Sequence, residues 1–372
     1  MKKIIALFVL LACVISLVGC SYKTYPAVES TEEEATTVMT LSAGGKTYEV
    51  KYELYRALFL NFKREFDGGD NSVWTGENKD EYISAIHEHI TSLILDIYSA
   101  FAVCEQIGFD IYSQAVESQI NEFIRISVDG GSYSGQSFIG YNGDYDAYLG
   151  YLKTINHNYS THVLMYRYAI AIEAIDDHFI GTFSADDIDG LITVGSMKYT
   201  KEDIENYYFS DACVRVLRTY ISEEIDLNPQ ARAERLACDL KEAAKKGESA
   251  VSNMIMGRGP IGATDGVEGV IIAKNNLDGA FYADMVKEAF SLQVGEVSGV
   301  VPIHDGQGMR YYVMYRGEKS REHLENNYSD IAYIFLRDGV GATLENMKNE
   351  LGEEIIKSDF LLNLDYSTIS MD

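Results

Sequence analysis

Cysteine and basic residues are both scarce in this chain of 372 residues. Of the five cysteines, Cys13 lies in an apolar N-terminal run. Those in the body of the chain are Cys104, Cys213 and Cys238. So few thiols cannot build a disulfide framework. The histidines are scattered, and His87 and His89 stand two apart on a predicted helix, where side chains diverge rather than share a metal ion. We therefore expect no metal and no cofactor.

The shortage of basic residues sets the sign of the surface charge. Lysine and arginine total 31 against 57 aspartates and glutamates, which gives a net charge of -26. Removal of residues 1–19 takes away two lysines and no acid, so the charge of the remainder is -26 - 2 = -28. Such a surface repels nucleic acid and anionic lipid headgroups. We expect no nucleic-acid partner, and the acidity is typical of a solubilising surface.

Several catalytic signatures are missing. The sequence has no G-x-S-x-G elbow, Walker A loop, H-E-x-x-H or EF-hand pattern, so hydrolase and nucleotide functions have no starting point. Residues 257–262 fit G-x-G-x-x-G, but no clear strand is predicted before them and no helix is predicted to begin after them. Pro260 also interrupts the turn. Dinucleotide binding is therefore not predicted.

The N-terminus carries an export signal. Lys2 and Lys3 precede an apolar run over residues 4–18, which is shorter than the roughly 20 residues of a membrane span. The run ends in Leu-Val-Gly-Cys, with the cysteine at Cys20, and this resembles the lipobox of bacterial lipoproteins. The resemblance implies a signal peptide over 1–19, cleavage after Gly19, acylation of Cys20 and a tether to the outer face of the cell membrane. The alternative is an ordinary signal peptide.

Composition divides the rest of the chain into regions. Residues 20–43 are rich in Thr, Ser and Glu and are predicted to form a flexible stalk. Apolar residues at helical spacing then predict a mostly helical region over 44–210. Its predicted elements are a short strand at 47–50 and helices at 52–66, 81–107, 113–126, 145–178 with a break near 156–158, and 200–208.

The pattern changes after residue 211. Strands are predicted at 213–221 and 308–315, with helices at 231–246 and 280–291 between them. The order strand, helix, loop, helix, strand indicates a small α+β unit over 211–318, followed by a C-terminal segment over 319–372. The fold class predicted for the whole chain is α+β.

One stretch of this unit is similar to a known family. Three features resemble parvulin-type peptidyl-prolyl isomerases. They are the run Ala-Phe-Ser-Leu-Gln-Val-Gly-Glu-Val-Ser at 289–298, a degenerate glycine turn at 265–269 and a closing hairpin over 300–313. The helical region before it and the tail after it resemble the SurA and PrsA-like extracytoplasmic foldases. That resemblance implies a chaperone-like domain over 44–210, against which 319–372 packs. It also implies unfolded exported proteins as partners, bound at X-Pro segments.

The resemblance also assigns candidate catalytic residues. Arg218 and Arg310 stand where the family has two histidines, and Ile303 stands where it has a threonine. The arginines have two interpretations: guanidinium groups that hydrogen-bond a client carbonyl, or exposed strand residues of a decayed site. The second is favoured, because guanidinium does not exchange protons near neutral pH.

The apolar pocket of the family is better matched. Phe281, Met285 and Phe290 stand at the pocket positions, and Ile303 completes the predicted peptide-binding set. Residues four and five apart on a helix are equally typical of a core, so core and cleft both remain open.

Three functions are consistent with these observations. The first is a membrane-anchored folding factor that binds exported unfolded proteins and isomerises X-Pro bonds, a step that takes tens of seconds without catalysis. The second keeps the fold without the enzyme, as a non-catalytic chaperone or scaffold. The third, a solute-binding lipoprotein of an importer, requires strand-helix alternation from the start of the mature chain, and the opening region is helical instead.

Overall fold

A computed structural model of the chain describes residues 23–133, 136–181, 191–194, 197–223, 227–258, 268–275, 279–304 and 308–371. The predicted signal peptide and Cys20 lie outside the described residues. The helices are α1 Tyr52–Asp67, α2 Lys79–Gln106, α3 Gln114–Asp129, α4 Tyr145–Thr154, α5 Tyr159–Phe179, α6 Lys201–Phe209, α7 Pro229–Ala244, α8 Glu248–Arg258, α9 Gly279–Ser291, α10 Arg321–Asn326, α11 Tyr328–Glu353 and α12 Asp359–Leu362. The strands are β1 Thr37–Ala43, β2 Lys46–Lys51, β3 Gly131–Tyr133, β4 Gln136–Phe138, β5 Leu191–Val194, β6 Met197–Thr200, β7 Cys213–Ser222, β8 Val270–Ala273, β9 Val301–His304, β10 Met309–Arg316 and β11 Ile355–Lys357.

The fold class is α+β, as predicted from the sequence. Strand pairings within the described residues are all antiparallel. An importer's binding protein would require parallel strands joined by helices. None of the helices in the described part of the chain combines the length and apolarity needed to cross a membrane.

The chain forms two compact units. The first comprises residues up to Ile175 together with those from Leu344 onward, and the second comprises Asp176–Thr343. The domain limits predicted at residues 210 and 318 are not tested by this division and stay a prediction.

The first unit contains helices α1 to α4, most of α5 and a three-stranded sheet in the order β11-β1-β2. The predicted stalk over 20–43 is wrong for its last part, because Thr37–Ala43 is the central strand of this sheet. Val38, Met39 and Leu41 are fully buried. These apolar residues lie in a short segment that follows the Thr- and Glu-rich residues 31–36, and the strands on both sides fix the segment in place.

Side-chain caps begin two of the predicted helices. The Ser113 hydroxyl caps α3, and Thr200 and Asp203 form a reciprocal capping box at α6. The predicted break near 156–158 separates α4 from α5, and Asn156 there has a positive φ of 59°. Such a conformation is tolerated by asparagine better than by most residues.

The second unit is built on a four-stranded antiparallel sheet in the order β8-β7-β10-β9. Helices α7 and α8 cover one face, where Leu217, Ile221 and Val313 are buried. Helix α9 covers part of the other face, where Val214 and Val216 are buried. Because side chains alternate along a strand, the even-numbered residues of β7 and β10 share the α9 face.

Candidate functional site

The two arginines predicted as catalytic candidates lie on the α9 face of the sheet. In the antiparallel register of β7 and β10, Arg218 is opposite Met314, and Tyr220 is opposite Tyr312. Arg310 is opposite Ser222 in the same register. Each arginine is therefore diagonal to a tyrosine on the neighbouring strand, a separation that long and aromatic side chains bridge.

These four side chains form an arginine–tyrosine ladder: Arg218, Tyr312, Tyr220 and Arg310. The guanidinium carbon of Arg218 is 5.9 Å from the ring centre of Tyr312, and that of Arg310 is 4.9 Å from the ring centre of Tyr220. The two tyrosine rings are 5.2 Å apart between centroids, at an angle of 50°. A cation within about 6 Å of a ring centre is attracted by the electrons of its face. The ladder is thus two cation–π pairs joined by an aromatic pair.

The ladder lies at the edge of a buried core. Tyr312 is only 4% exposed, whereas Arg218, Tyr220 and Arg310 are half-buried. The Arg218 Nη1 atom is 3.6 Å from the sulfur of Met285 on α9, so the methionine forms the floor beside the guanidinium. The solvent-accessible patch of the ladder is therefore contributed by Arg218, Tyr220 and Arg310, with Tyr312 buried beneath them.

The predicted pocket residues lie beneath this patch. Met285 is 2% exposed and Ile303 is 3% exposed, and both belong to the core under α9. This burial favours the core interpretation for these two residues over an open cleft. Phe290 is half-buried against the same core, and the side chain of Phe281 lies outside the described residues. Their membership of a peptide pocket stays a prediction.

The segment that carries the family resemblance joins α9 to the sheet. After α9 ends at Ser291, Gly295 takes a positive φ of 90° and donates its N–H to the Arg316 carbonyl at 2.8 Å. Ser298 is buried, and its hydroxyl oxygen accepts the N–H of Met314 at 2.9 Å. A residue with a side chain at position 295 would be strained, so this glycine serves the turn. The turn residues at 265–267 and most of the G-x-G-x-x-G segment, 259–262, lie outside the described residues.

The two tyrosines of the ladder were missed by the sequence interpretation. The signal was present as Arg-x-Tyr on each predicted strand, at 218–220 and at 310–312. A period of two places both members of each pair on the same face of the sheet. What the sequence lacked was the register that brings the two pairs together.

Two buried thiols, Cys104 and Cys213, are not activated nucleophiles. Burial raises the pKa of Cys104 to about 12, and burial likewise raises the pKa of Cys213. A thiol with a raised pKa is protonated near neutral pH and unreactive. Within the described residues, no group of three His, Cys, Asp or Glu side chains is placed to hold a metal ion.

Two properties of the ladder bear on chemistry. Guanidinium groups donate several hydrogen bonds from a rigid plane and keep their protons near neutral pH. Tyrosine rings offer flat apolar faces with a polar edge. The patch can therefore bind a peptide carbonyl or carboxylate beside an apolar ring, but the guanidinium groups cannot act as a general base.

No protein-family model and no curated protein matches the chain. Solved structures to which it is similar include the foldase protein PrsA of Streptococcus pneumoniae, at 12% identity and a TM-score of 0.26, covering 88% of this chain and 98% of that one. PrsA of Lactococcus lactis is 12% identical with a TM-score of 0.23, covering 90% and 99%. PrsA of Bacillus subtilis is 15% identical with a TM-score of 0.24, covering 74% and 88%. Because these TM-scores lie below 0.5, the function of this chain has to be inferred from its own residues.

Proposed function

We propose that this chain is a lipid-anchored folding factor on the outer face of the bacterial membrane, which binds unfolded exported proteins and accelerates X-Pro isomerisation at the arginine–tyrosine ladder. The export signal and Cys20 support the location. Proteins emerge from export unfolded, and slow X-Pro rotation then limits their folding. An anchored isomerase would act where that limitation arises.

The single observation that carries this function is the pairing of Arg218 with Tyr312 and of Arg310 with Tyr220 on one sheet face. An X-Pro segment presents an apolar ring next to a peptide carbonyl. The half-buried Tyr220 supplies apolar contact for the ring, and a guanidinium N–H donates a hydrogen bond to the peptide group beside it. One segment of client would satisfy both halves of the patch at once.

Isomerisation does not need the proton transfer that the arginines cannot perform. Rotation about the X-Pro bond breaks no covalent bond, and its barrier of about 18 to 20 kcal/mol arises from lost amide resonance. A site lowers that barrier when it binds the twisted amide more tightly than the planar one. A donor to the carbonyl oxygen favours the planar amide, in which resonance places negative charge on that oxygen. The twisted form is stabilised instead by a guanidinium N–H that donates to the pyramidal prolyl nitrogen, whose lone pair is no longer conjugated with the carbonyl.

A second candidate function is a chaperone that binds the same segments without isomerising them. It is favoured by the burial of Met285 and Ile303, which fill the core beneath the ladder and leave the floor of the patch closed. A shallow patch holds a segment without enclosing the proline ring. The two functions differ in catalysis and share the binding residues.

The test is a protease-coupled isomerisation assay on the whole mature chain, with tetrapeptides that vary the residue before proline. We expect acceleration that falls at least tenfold in Arg218→Ala and in Arg310→Ala. Arg235→Ala is the matched control, because Arg235 is an exposed arginine on α7, which covers the opposite face of the sheet. Unchanged acceleration in both ladder variants would contradict the proposed site.

The second function is separated by a client assay with the same proteins. If no acceleration occurs but the chain suppresses aggregation of an unfolded client, and both ladder variants lose that suppression, the chain is a chaperone without isomerase activity. Absence of both activities would refute the folding-factor proposal.

A further inference from the structure

An aromatic residue of the N-terminal segment is held on the surface of the first unit. The ring of Tyr25 stacks on the ring of Tyr145 at the start of α4, with 4.9 Å between centroids and an angle of 26°. The Tyr25 hydroxyl donates a hydrogen bond to the carboxylate of Asp129 at the end of α3. Stacked rings with offset geometry stabilise each other beyond the area that they bury.

The backbone next to this ring is recognised as well. The Tyr145 hydroxyl donates a hydrogen bond to the Pro26 carbonyl at 2.6 Å. Tyr145 therefore contacts two successive residues of the segment, an aromatic side chain through its ring and a proline through its hydroxyl. The ring contact selects an aromatic side chain, whereas the backbone carbonyl that follows is a feature of any extended segment.

Charge adds a third contact. The Lys23 ammonium is 3.3 Å from Asp129 Oδ1 and 4.4 Å from the ring centre of Tyr25. The hydrogen bond from Tyr25, together with the contacts with Lys23, lowers the pKa of the Asp129 carboxyl. The carboxylate thus stays ionised as the acceptor for the phenol.

The surface beneath Tyr25 continues into the core of the unit. Tyr145 stacks on Tyr148, with 6.1 Å between ring centroids, and Tyr148 is 1% exposed. Tyr148 packs with the buried faces of α3 and α5, including Ile120 and Ile170. The surface that holds Tyr25 is therefore supported from beneath by buried side chains.

The segment itself is held at few points. Among residues 23–29, Tyr25 is half-buried and every other residue is exposed. From Ser30 onward the chain is fixed more firmly, because the Ser30 and Ser160 hydroxyls lie 2.9 Å apart and Glu34 accepts hydrogen bonds from Arg56 and Asn158. Residues 23–29 thus form an arm that can leave the surface while the chain from Ser30 onward stays in place.

We propose that Tyr145 and Asp129 form a second peptide-binding site, which takes extended segments that carry a tyrosine, held by its ring, its hydroxyl and the backbone carbonyl of the next residue. The chain's own Tyr25–Pro26 is its resident ligand. A segment tethered to its site experiences an effective concentration in the millimolar range for a short linker. An external segment must therefore displace the arm, which keeps the site closed to weak ligands. That the arm occupies this site does not depend on the proposed function. That client proteins use the site rests on the proposed function.

The experiment uses a fluorescent peptide of residues 23–30, Lys-Thr-Tyr-Pro-Ala-Val-Glu-Ser, and the whole mature chain. Fluorescence anisotropy measures peptide binding to the unaltered chain and to Tyr25→Ala, in which the arm loses its anchor. We expect the variant to bind the peptide at least tenfold more tightly than the unaltered chain. The reason is that its own arm, which competes with the peptide for the site, has lost the Tyr25 ring and binds more weakly.

Further variants identify the binding residues in the Tyr25→Ala background. Asp129→Asn and Tyr145→Phe remove the acceptor for the phenol and the donor to the proline carbonyl, and each should weaken peptide binding at least threefold. Tyr112→Ala is the matched control, since Tyr112 is another exposed tyrosine of the same unit. A peptide with alanine in place of its tyrosine should not bind.

The outcomes separate this inference from the proposed function. Equal affinities for the unaltered chain and Tyr25→Ala, or retained binding in both Asp129→Asn and Tyr145→Phe, would overturn the second site. Neither result depends on isomerase or chaperone activity, and loss of those activities in the ladder variants would leave the peptide measurement unchanged. Circular dichroism of each variant establishes that the chain has folded.

Discussion

Arg215 on β7 donates a hydrogen bond from Nη1 to Oε1 of Glu248 on α8, at 2.7 Å. The same guanidinium donates to the carbonyls of Glu268 at 2.7 Å and Glu318 at 3.0 Å. The Arg215 side chain is 8% exposed. A Cβ atom on Gly317 would lie 2.6 Å from Nη1, so glycine lets the backbone approach this closely. One buried cation thus connects a central strand, a helix and two turns of the second unit.

Removal of the Glu248 carboxylate should destabilise the second unit. Glu248→Ala leaves the buried guanidinium without its anion, and we expect a loss of about 1 to 3 kcal/mol in the free energy of unfolding. Glu242→Ala is the control, because Glu242 pairs with Lys245 on the surface at 71% and 69% exposure. Exposed pairs contribute little to stability. Urea denaturation monitored by circular dichroism compares the two, and equal losses would contradict the role of Arg215.

Two glycines of α11 should respond in opposite directions to the same substitution. A Cβ atom at Gly341 would lie 2.1 Å from the Asn275 carbonyl oxygen, whereas one at Gly339 would have nothing within 4 Å. Gly339→Ala should therefore raise the free energy of unfolding by up to about 1 kcal/mol through helix propensity. Gly341→Ala should lower it, since a backbone atom has to move. Thermal unfolding of the two variants gives the signs, and stabilisation by both would show that the contact is absent.

The sequence predicted α1 to α7 and α9 because their signals are local, whereas α8 and the helices after residue 318 were not predicted. Ser113 and Thr200 mark helix starts by side-chain capping, and those caps need no distant partner. Strand β1 carries no such signal. Its Thr-, Ser- and Glu-rich surroundings predict a stalk, and its pairing with Ile355–Lys357 joins residues more than 300 positions apart, which local composition does not indicate.

Only the two arginines of the ladder were predicted from the sequence, because the tyrosines are brought to them by pairing between strands that are distant along the chain. Arg218 and Arg310 could be found one at a time from the resemblance. Their relation to Tyr312 and Tyr220 depends on the register between β7 and β10, and a shift by one residue would place the side chains on opposite faces. Burial of Met285 likewise depends on how α9 packs on the sheet.

Acylation of Cys20 is a prediction of the sequence that metabolic labelling checks. We expect a labelled fatty acid to enter the chain and to be lost in Cys20→Ala, with the variant released from the membrane fraction. More than one acyl chain is needed for stable anchoring. Cys238→Ser is the control, because Cys238 is an exposed thiol of the described residues, and its removal should leave the label unchanged. Label that persists in Cys20→Ala would contradict the lipobox interpretation.

Tyr366 near the C-terminus should stabilise the first unit. Its ring lies 5.5 Å from Phe59 and 6.4 Å from Trp74 between centroids, and its hydroxyl is 3.2 Å from that of Tyr55. Tyr366→Ala should lower the free energy of unfolding by about 3 kcal/mol, and Tyr366→Phe, which removes the hydroxyl alone, by about 1 kcal/mol. Trp74 is the single tryptophan of the sequence, so its fluorescence during urea denaturation reports on this unit. An unchanged midpoint in Tyr366→Ala would contradict the packing.

Two half-buried histidines should make the first unit sensitive to mild acid. Burial, with a smaller effect from the charge of Lys357, lowers the pKa of His87 to about 4. Burial, with a smaller effect from the charge of His157, lowers the pKa of His162 to about 4. The usual value is 6.5, so the unfolded chain takes up these protons at higher pH than the folded one. Their contribution is complete above about pH 6.5 and is lost as the pH falls toward 4.

The free energy of unfolding should therefore decrease between about pH 6.5 and 4, by at most about 3 kcal/mol for each histidine. Carboxylates with lowered pKa values, such as Glu34 and Asp67, lose their contribution only below their usual values of 4.5 and 3.8, so the upper part of the window belongs to the histidines. Trp74 fluorescence in urea at several pH values measures the slope. His87→Gln and His162→Gln should each flatten it, and a slope that is identical in both variants and the unaltered chain would show that neither histidine is responsible.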